Sequence, residues 1–369
     1  MTISVVRSGP IPALTGLRFA AALMVFFSHF QIPGLGECGL RFTGSGYSGV
    51  TFFFVLSGFI VTHSYLDRFE AAPLKHSAQY FVARFARIYP LYALCIVYPW
   101  LNKDLDTNLL PYLAGIQAWS PDVAYAFGIN GPAWSISVEI FLYLTFPLLI
   151  PLLHTCNAIN QRNRLFAFAA CALATQLFLA GYFSMPERAN LPLMGPDSAH
   201  RWLYRHPLTR VLDFSLGIAC AIYYKRHLIF SNKVERNWGL VVTGSLLSIV
   251  ALMGWPKNSF SAFSWDASYA PLFALLILGT AINQQTTLAK LFSTPALVLL
   301  GESSYALYLI QGQTRGLYTL HSSDPILQQL LHYSLFLLIV ICLSVGLHKV
   351  VERPLQKVIV STYNKKRRP

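Results

Sequence analysis

The first apolar run of the chain, LTGLRFAAALMVFFSHF from Leu14 to Phe30, carries Arg18 and His29. Eleven helical steps make about three turns plus roughly 20°, so both side chains leave one face, ~16 Å apart along the axis. Comparable groups recur in other apolar runs. Arg84 and Arg87 stand at i and i+3, and Glu139 lies one turn after Ser135. Glu302, Tyr305, Tyr308 and Gln311 repeat every third residue. These types carry two chemistries. An imidazole takes and returns protons, with a carboxylate to orient it. Arginines hold anions in a planar, permanently charged grip. Ionisable groups inside a membrane span are costly and usually face the bundle interior, where they mark function. The plainer alternatives are that Arg18 and His29 reach the two interfaces, that Arg84 and Arg87 anchor a span, and that the tyrosines form an interfacial belt.

The elements that hold these residues follow from composition. Of 369 residues, 54% are hydrophobic and 12% charged, against about 25% charged in soluble domains. Mean hydropathy is +0.48. Runs long enough to cross a bilayer, about 17–25 residues, occur near 13–31, 48–66, 81–100, 134–153, 165–184, 208–224, 238–254, 268–283, 296–312 and 327–348. The expected fold is an all-α integral membrane bundle of about ten transmembrane helices in one domain, 1–369. The start reads as a permanent first span, with no small-residue cleavage site near Phe30. Gly49, Ser57 and Gly58 are small residues that allow close helix approach. Trp134 suits an interface.

Loop charges set the orientation. With the N-terminus cytoplasmic, 19 basic residues fall inside and 8 outside, the bias expected of cytoplasmic loops. The inside set includes Arg7, Lys233, Arg236 and the basic tail near 355–369. Lys103 and Arg315 fall outside. Both termini are then cytoplasmic. This accounts for the net charge of +13 without nucleic acid, for which no binding motif is present. Six cysteines lack CxxC spacing and read as small buried hydrophobes. Ten histidines contain no HxxxH or HExxH, so no metal site is expected.

The series in order is more specific than its parts. Arg18 and His29 are followed by the Phe-rich Ser-Gly-Phe segment from Phe52 to Phe59 and by Arg-x-x-Arg-Ile-x-Pro from Arg84 to Pro90. Trp-Ser-x-x-x-Glu runs from Trp134 to Glu139. Then come Arg210, Asp213 and Gly217, Ser-Tyr-x-x-Tyr from Ser304 to Tyr308, and Glu-Arg-Pro from Glu352 to Pro354. Over nearly the whole chain this resembles the acyltransferase 3 family of membrane O-acyltransferases. Two departures are Ala83 where the family often has a second arginine, and Gln311 near a position where it often has histidine. Many relatives carry an SGNH-type domain after the last span; the chain reads as the stand-alone form.

The resemblance implies transfer of an acetyl or other short acyl group from cytoplasmic acyl-CoA to a hydroxyl of a cell-surface or exported carbohydrate, such as exopolysaccharide or O-antigen. The expected setting is the bacterial inner membrane. The donor is a substrate, and no permanent cofactor is expected. Under that reading His29 is the general base and Glu139 holds the ring's other nitrogen. Arg18, Arg84 and Arg87 bind the polyanionic CoA. Ser57, Trp134, Ser135, Ser137, Arg210, Asp213, Glu302, Tyr305, Tyr308 and Gln311 form the supporting polar face. The competing reading is a proton-coupled transporter or flippase, with His29, Glu139 and Glu302 as a relay. Against it, the chain shows no two halves with matching broken spans.

Overall fold

Proline placement marks where several helices begin, since its missing N–H is one that a first turn leaves unbonded anyway. The computed structural model describes residues 9–102, 107–228, 232–258 and 260–365. Arg7, Lys103 and Lys366 to Arg368 lie outside the described residues, as do the side chains of Lys233 and Arg236. Every regular element among the described residues is a helix. The principal ones are α1 (Pro12–His29), α2 (Gly49–Ala71), α3 (Pro73–Asn102), α4 (Trp134–Thr155), α5 (Arg162–Phe183) and α6 (Pro207–Ile222). They continue with α7 (Asn232–Gly254), α8 (Ala270–Ile282), α9 (Pro295–Glu302), α10 (Ser304–Leu309), α11 (Ile326–Leu347) and α12 (Arg353–Lys365).

Eight helical stretches among the described residues are long and apolar enough to cross a bilayer. The chain is therefore an all-α multi-pass membrane protein. Two of the ten expected runs take other forms. The run at 208–224 is the 16-residue α6, continued by a π-helical turn over Tyr223–His227. The run at 296–312 is broken into α9, α10 and the short helix Gln311–Thr314. The first break has a local cause. Ser303 and Ser304 turn their hydroxyls back to the carbonyls of Leu299 and Gly301, at 2.8 and 2.7 Å. Such bonds compete with the helical ladder.

Burial separates inner from outer helices. The stretch containing α2 and the one containing α8 each have 78% of their spanning window buried, whereas α5 and α11 have 22%. The outer helices show apolar side chains such as Phe178, Leu331 and Leu335, as a lipid-facing surface requires. This corrects the expectation for the cysteines. Cys171 on α5 and Cys342 on α11 are exposed, as are Cys38 and Cys156, and Cys95 alone of the six is buried. Apolar sequence in a bilayer points outward as readily as inward.

The inner helices touch through glycines. A Cβ at Gly58 would stand 2.1 Å from the Phe214 carbonyl oxygen, and one at Gly217 1.9 Å from that of Val55. Thus α2 and α6 meet backbone to backbone. Gly301 and Thr15 make a similar approach between α9 and α1, at 1.9 Å. Overpacking a close-packed interior costs about 1–3 kcal/mol, more when backbone must move. Gly217→Leu is expected to lower the unfolding temperature of the detergent-solubilised protein by several degrees or to abolish its accumulation in membranes. Gly244→Leu, where nothing lies within 4 Å, should do neither. Equal behaviour of the two variants would show that α2 and α6 do not depend on this contact.

Candidate active site

Five helices converge on one cavity. Arg18 enters it from α1, Ser57 from α2, Arg84 and Arg87 from α3, Ser135 and Glu139 from α4, and Tyr305 and Tyr308 from α10. Glu139 Oε1 accepts a 2.6 Å hydrogen bond from Tyr143, whose oxygen accepts in turn from Ser57 at 3.1 Å. The Arg84 guanidinium lies 5.7 Å from the ring centroids of both Tyr65 and Tyr143. Its Nε is buried and has no hydrogen-bond partner among the described residues. Arg87 stands 4.0 Å from Glu352, and Glu352 lies 3.0 Å from His348 Nδ1. Three arginines around one carboxylate give this cavity an excess of positive charge.

His29 opens on a different cavity, lined also by Asn130, Trp134, Gln311, Gly312 and Arg315. Its Nδ1 lies 2.6 Å from Gln311 Oε1. An amide oxygen only accepts, so Nδ1 carries the proton and Nε2 keeps its lone pair. The two residues that follow α1 are held from outside through their carbonyls. Tyr333 donates to Phe30 O at 2.8 Å, and Tyr318 donates to Gln31 O. These bonds fix the end of α1 and the imidazole upon it.

The expected His29–Glu139 pair is not formed. Glu139 bonds to Tyr143 and Ser57, and it lines the Arg18 cavity. The reason is depth. The His29 cavity receives α4 at Trp134, and Glu139 lies five residues further along, ~7.5 Å down the axis. Gln311 occupies the place assigned to the carboxylate.

The other expected site residues divide. Ser137 is buried and accepts from the Ala118 N–H at 3.3 Å, away from both cavities. Glu302 is half-exposed, 3.6 Å from His348 Nε2. Arg210 and Asp213 are wholly buried elsewhere, 2.6 Å apart, with Asp266 3.3 Å from the same guanidinium. Sequence reasoning missed Tyr143, one turn beyond Glu139, where a helical count would have found it. It also missed His348, which stands one turn before Glu352 and meets Glu302 from another helix, and Asp266 and Gln176, which reach their partners only through tertiary contacts. Outside the spans, burial pushes His200 down to about 4, and Arg205 and Arg210 add to the effect. That ring, 4.9 Å from Trp265, is a neutral aromatic wall.

Arginines and a histidine that face cavities in a bundle of apolar helices define the class: a multi-pass membrane protein with a polar interior. A model of the acyltransferase domain matches residues 11–349, and the chain belongs to the acyltransferase 3 family. It is similar to acyltransferase MdmB of Streptomyces mycarofaciens, 31% identical over 318 residues, covering 81% of this chain and 78% of that protein. It is also similar to O-acetyltransferase OatA of Staphylococcus aureus, 25% identical over 324 residues, covering 81% of this chain. The chain spans about half the length of OatA, 49%. No solved structure matches it. The chain is a membrane O-acyltransferase.

Proposed function

We propose that the protein moves an acetyl or other short acyl group from cytoplasmic acyl-CoA to a hydroxyl of a cell-surface or exported carbohydrate, such as exopolysaccharide or O-antigen, at the bacterial inner membrane. The observation that carries this reading is His29, with Nδ1 tied to Gln311 and Nε2 left for a substrate proton. The acceptor hydroxyl gives its proton to Nε2 as its oxygen attacks the thioester carbon. The C–O bond forms, the C–S bond breaks, and the departing sulfur takes the proton back from the imidazolium. Ester and free CoA result, and His29 is restored. Base catalysis of this kind contributes about 10²- to 10⁴-fold.

The arginine cavity suits the other end of the donor. CoA phosphates need charge-assisted, forked hydrogen bonds, and Arg84 keeps a buried Nε without a partner. The ~16 Å rise between Arg18 and His29 is spanned by the extended pantetheine arm. Glu139, held by Tyr143, balances the arginines when no donor is bound.

The test compares acetyl-CoA with S-acetylpantetheine, which lacks the nucleotide and its phosphates. Arg84→Gln is expected to raise the KM for acetyl-CoA about tenfold or more, the worth of one charge-assisted bond. It should leave kcat and the KM for S-acetylpantetheine nearly unchanged. Equal losses with both donors would remove the phosphate-binding role.

A further inference from the structure

We infer that the His29 cavity is the acceptor subsite and that it selects acceptors carrying a negative charge, a carboxylate or phosphate ester close to the reacting hydroxyl. This rests on the reading of His29 as base. It adds which groups meet the acceptor and what the acceptor must look like.

Two buried amides with unused hydrogen-bonding atoms line this cavity. Gln311 is 2% exposed and Asn130 3%. Gln311 spends its oxygen on His29, and its Nε2 donates to nothing among the described residues. Asn130 donates through Nδ2 to the carbonyl of Leu309 at 3.1 Å, while its Oδ1 accepts from nothing. An unpaired buried polar atom costs about 1–3 kcal/mol, so groups left this way beside a base are explained by a ligand that completes them. A hydroxyl donates one hydrogen bond and accepts two. The reacting hydroxyl has one proton, which goes to the lone pair of His29 Nε2 while its oxygen accepts from Gln311 Nε2, and Asn130 Oδ1 is left to accept from a second hydroxyl of the same sugar. The indole of Trp134 supplies a flat apolar wall, the surface on which the face of a sugar ring packs.

Charge sets the class of acceptor. Arg315 lines the cavity and is exposed at its mouth. Among the described residues, no aspartate or glutamate lines the cavity. No carboxylate among the described residues lies within ion-pair distance of Arg315. The N-terminal end of α4 opens on the same space, adding the positive end of a helix dipole. A cationic acceptor meets only repulsion here, and a neutral one leaves the arginine unused. An anionic one forms a forked pair with the guanidinium. The charge has two chemical sources, a uronic-acid carboxylate in the glycan or a phosphate linking it to a lipid carrier.

The test uses the full chain in lipid nanodiscs with acetyl-CoA and three acceptors: a neutral oligosaccharide, its uronic-acid counterpart and its phosphorylated counterpart. Free CoA is the readout. At least one charged acceptor is expected to exceed the neutral one in kcat/KM, and which one does so identifies the source of the charge. Arg315→Gln should raise KM for that acceptor about tenfold and change KM for the neutral acceptor much less. Arg315→Glu should reverse the preference. Arg315 is exposed, and acetyl-CoA affinity serves as the control for folding. Equal use of neutral and charged acceptors, or a charged acceptor unaffected by both substitutions, overturns the inference. So does binding of acetyl-CoA with no release in the presence of either charged class. A wild-type protein that does not bind acetyl-CoA overturns the underlying acyltransfer reading instead.

Discussion

Replacing His29 by alanine is expected to lower acceptor-dependent release of CoA by about a thousandfold, within the range for loss of a general base. Acetyl-CoA affinity should change less than about twofold, because the arginine cavity lies roughly 16 Å away along α1. The size of the effect follows from what surrounds the ring. Among the described residues no other histidine and no carboxylate lines the cavity, so none of them can take over the proton. The mutant keeps its fold because the bonds that fix the end of α1 are made to backbone carbonyls, by Tyr333 and Tyr318, and survive loss of the imidazole. Measuring kcat for acceptor-dependent CoA release beside the binding of acetyl-CoA separates the two roles. A variant that binds donor normally and transfers at the wild-type rate would place the base elsewhere. A variant that loses binding and rate together would point to a damaged helix rather than missing chemistry.

The membrane setting and helical class were legible in the sequence because they depend on bulk composition and run length. The common face of Arg18 and His29 was legible because α1 is continuous over Pro12–His29. Spacing along one helix is a local quantity, and here it carried over. Levels between helices are not local. Nothing in the spacing of Trp134 and Glu139 tells how deep α4 sits against α1, so the expected dyad joined residues that face different cavities. The continuous hydropathy of 296–312 hid a break made by two serine hydroxyls. That break matters to the site. Tyr305 and Tyr308 are presented by α10 to one cavity, and Gln311 by the following short helix to the other. Arg210 and Asp213 enter the expected polar face only through the family resemblance. The partners that reveal their role come from α5 and from the turn before α8, and no local pattern announces them.

Those partners make Arg210→Met the substitution with the largest expected effect on stability, a loss of about 3–5 kcal/mol, as when one member of a buried ion pair is removed. Arg210 and Asp213 are both 0% exposed. The guanidinium donates to Asp213 at 2.6 Å, to the Tyr204 carbonyl at 2.7 Å, to the Trp265 carbonyl at 2.8 Å and to Thr51 at 3.2 Å. Asp266 lies 3.3 Å from it. Gln176 donates from α5 to Asp213 and to Asp266, each at 2.9 Å. One cation thus serves two buried carboxylates and draws α2, α5, α6 and the 263–266 turn together. Its removal leaves the buried Asp213–Asp266 pair without its cation in a region closed to solvent. Thermal unfolding of the purified protein and its yield in membranes are the measurements. The single variant should be unstable or absent. Arg210→Met combined with Asp213→Asn and Asp266→Asn should recover much of the loss, because neutral groups replace the stranded charges. The comparison separates two accounts of the cluster. If it serves packing alone, the triple variant also regains catalysis along with stability. If it holds the inner cavity in shape through α2 and Ser57, stability returns while kcat stays low. A single variant that unfolds like the wild type would show that the cluster contributes to neither.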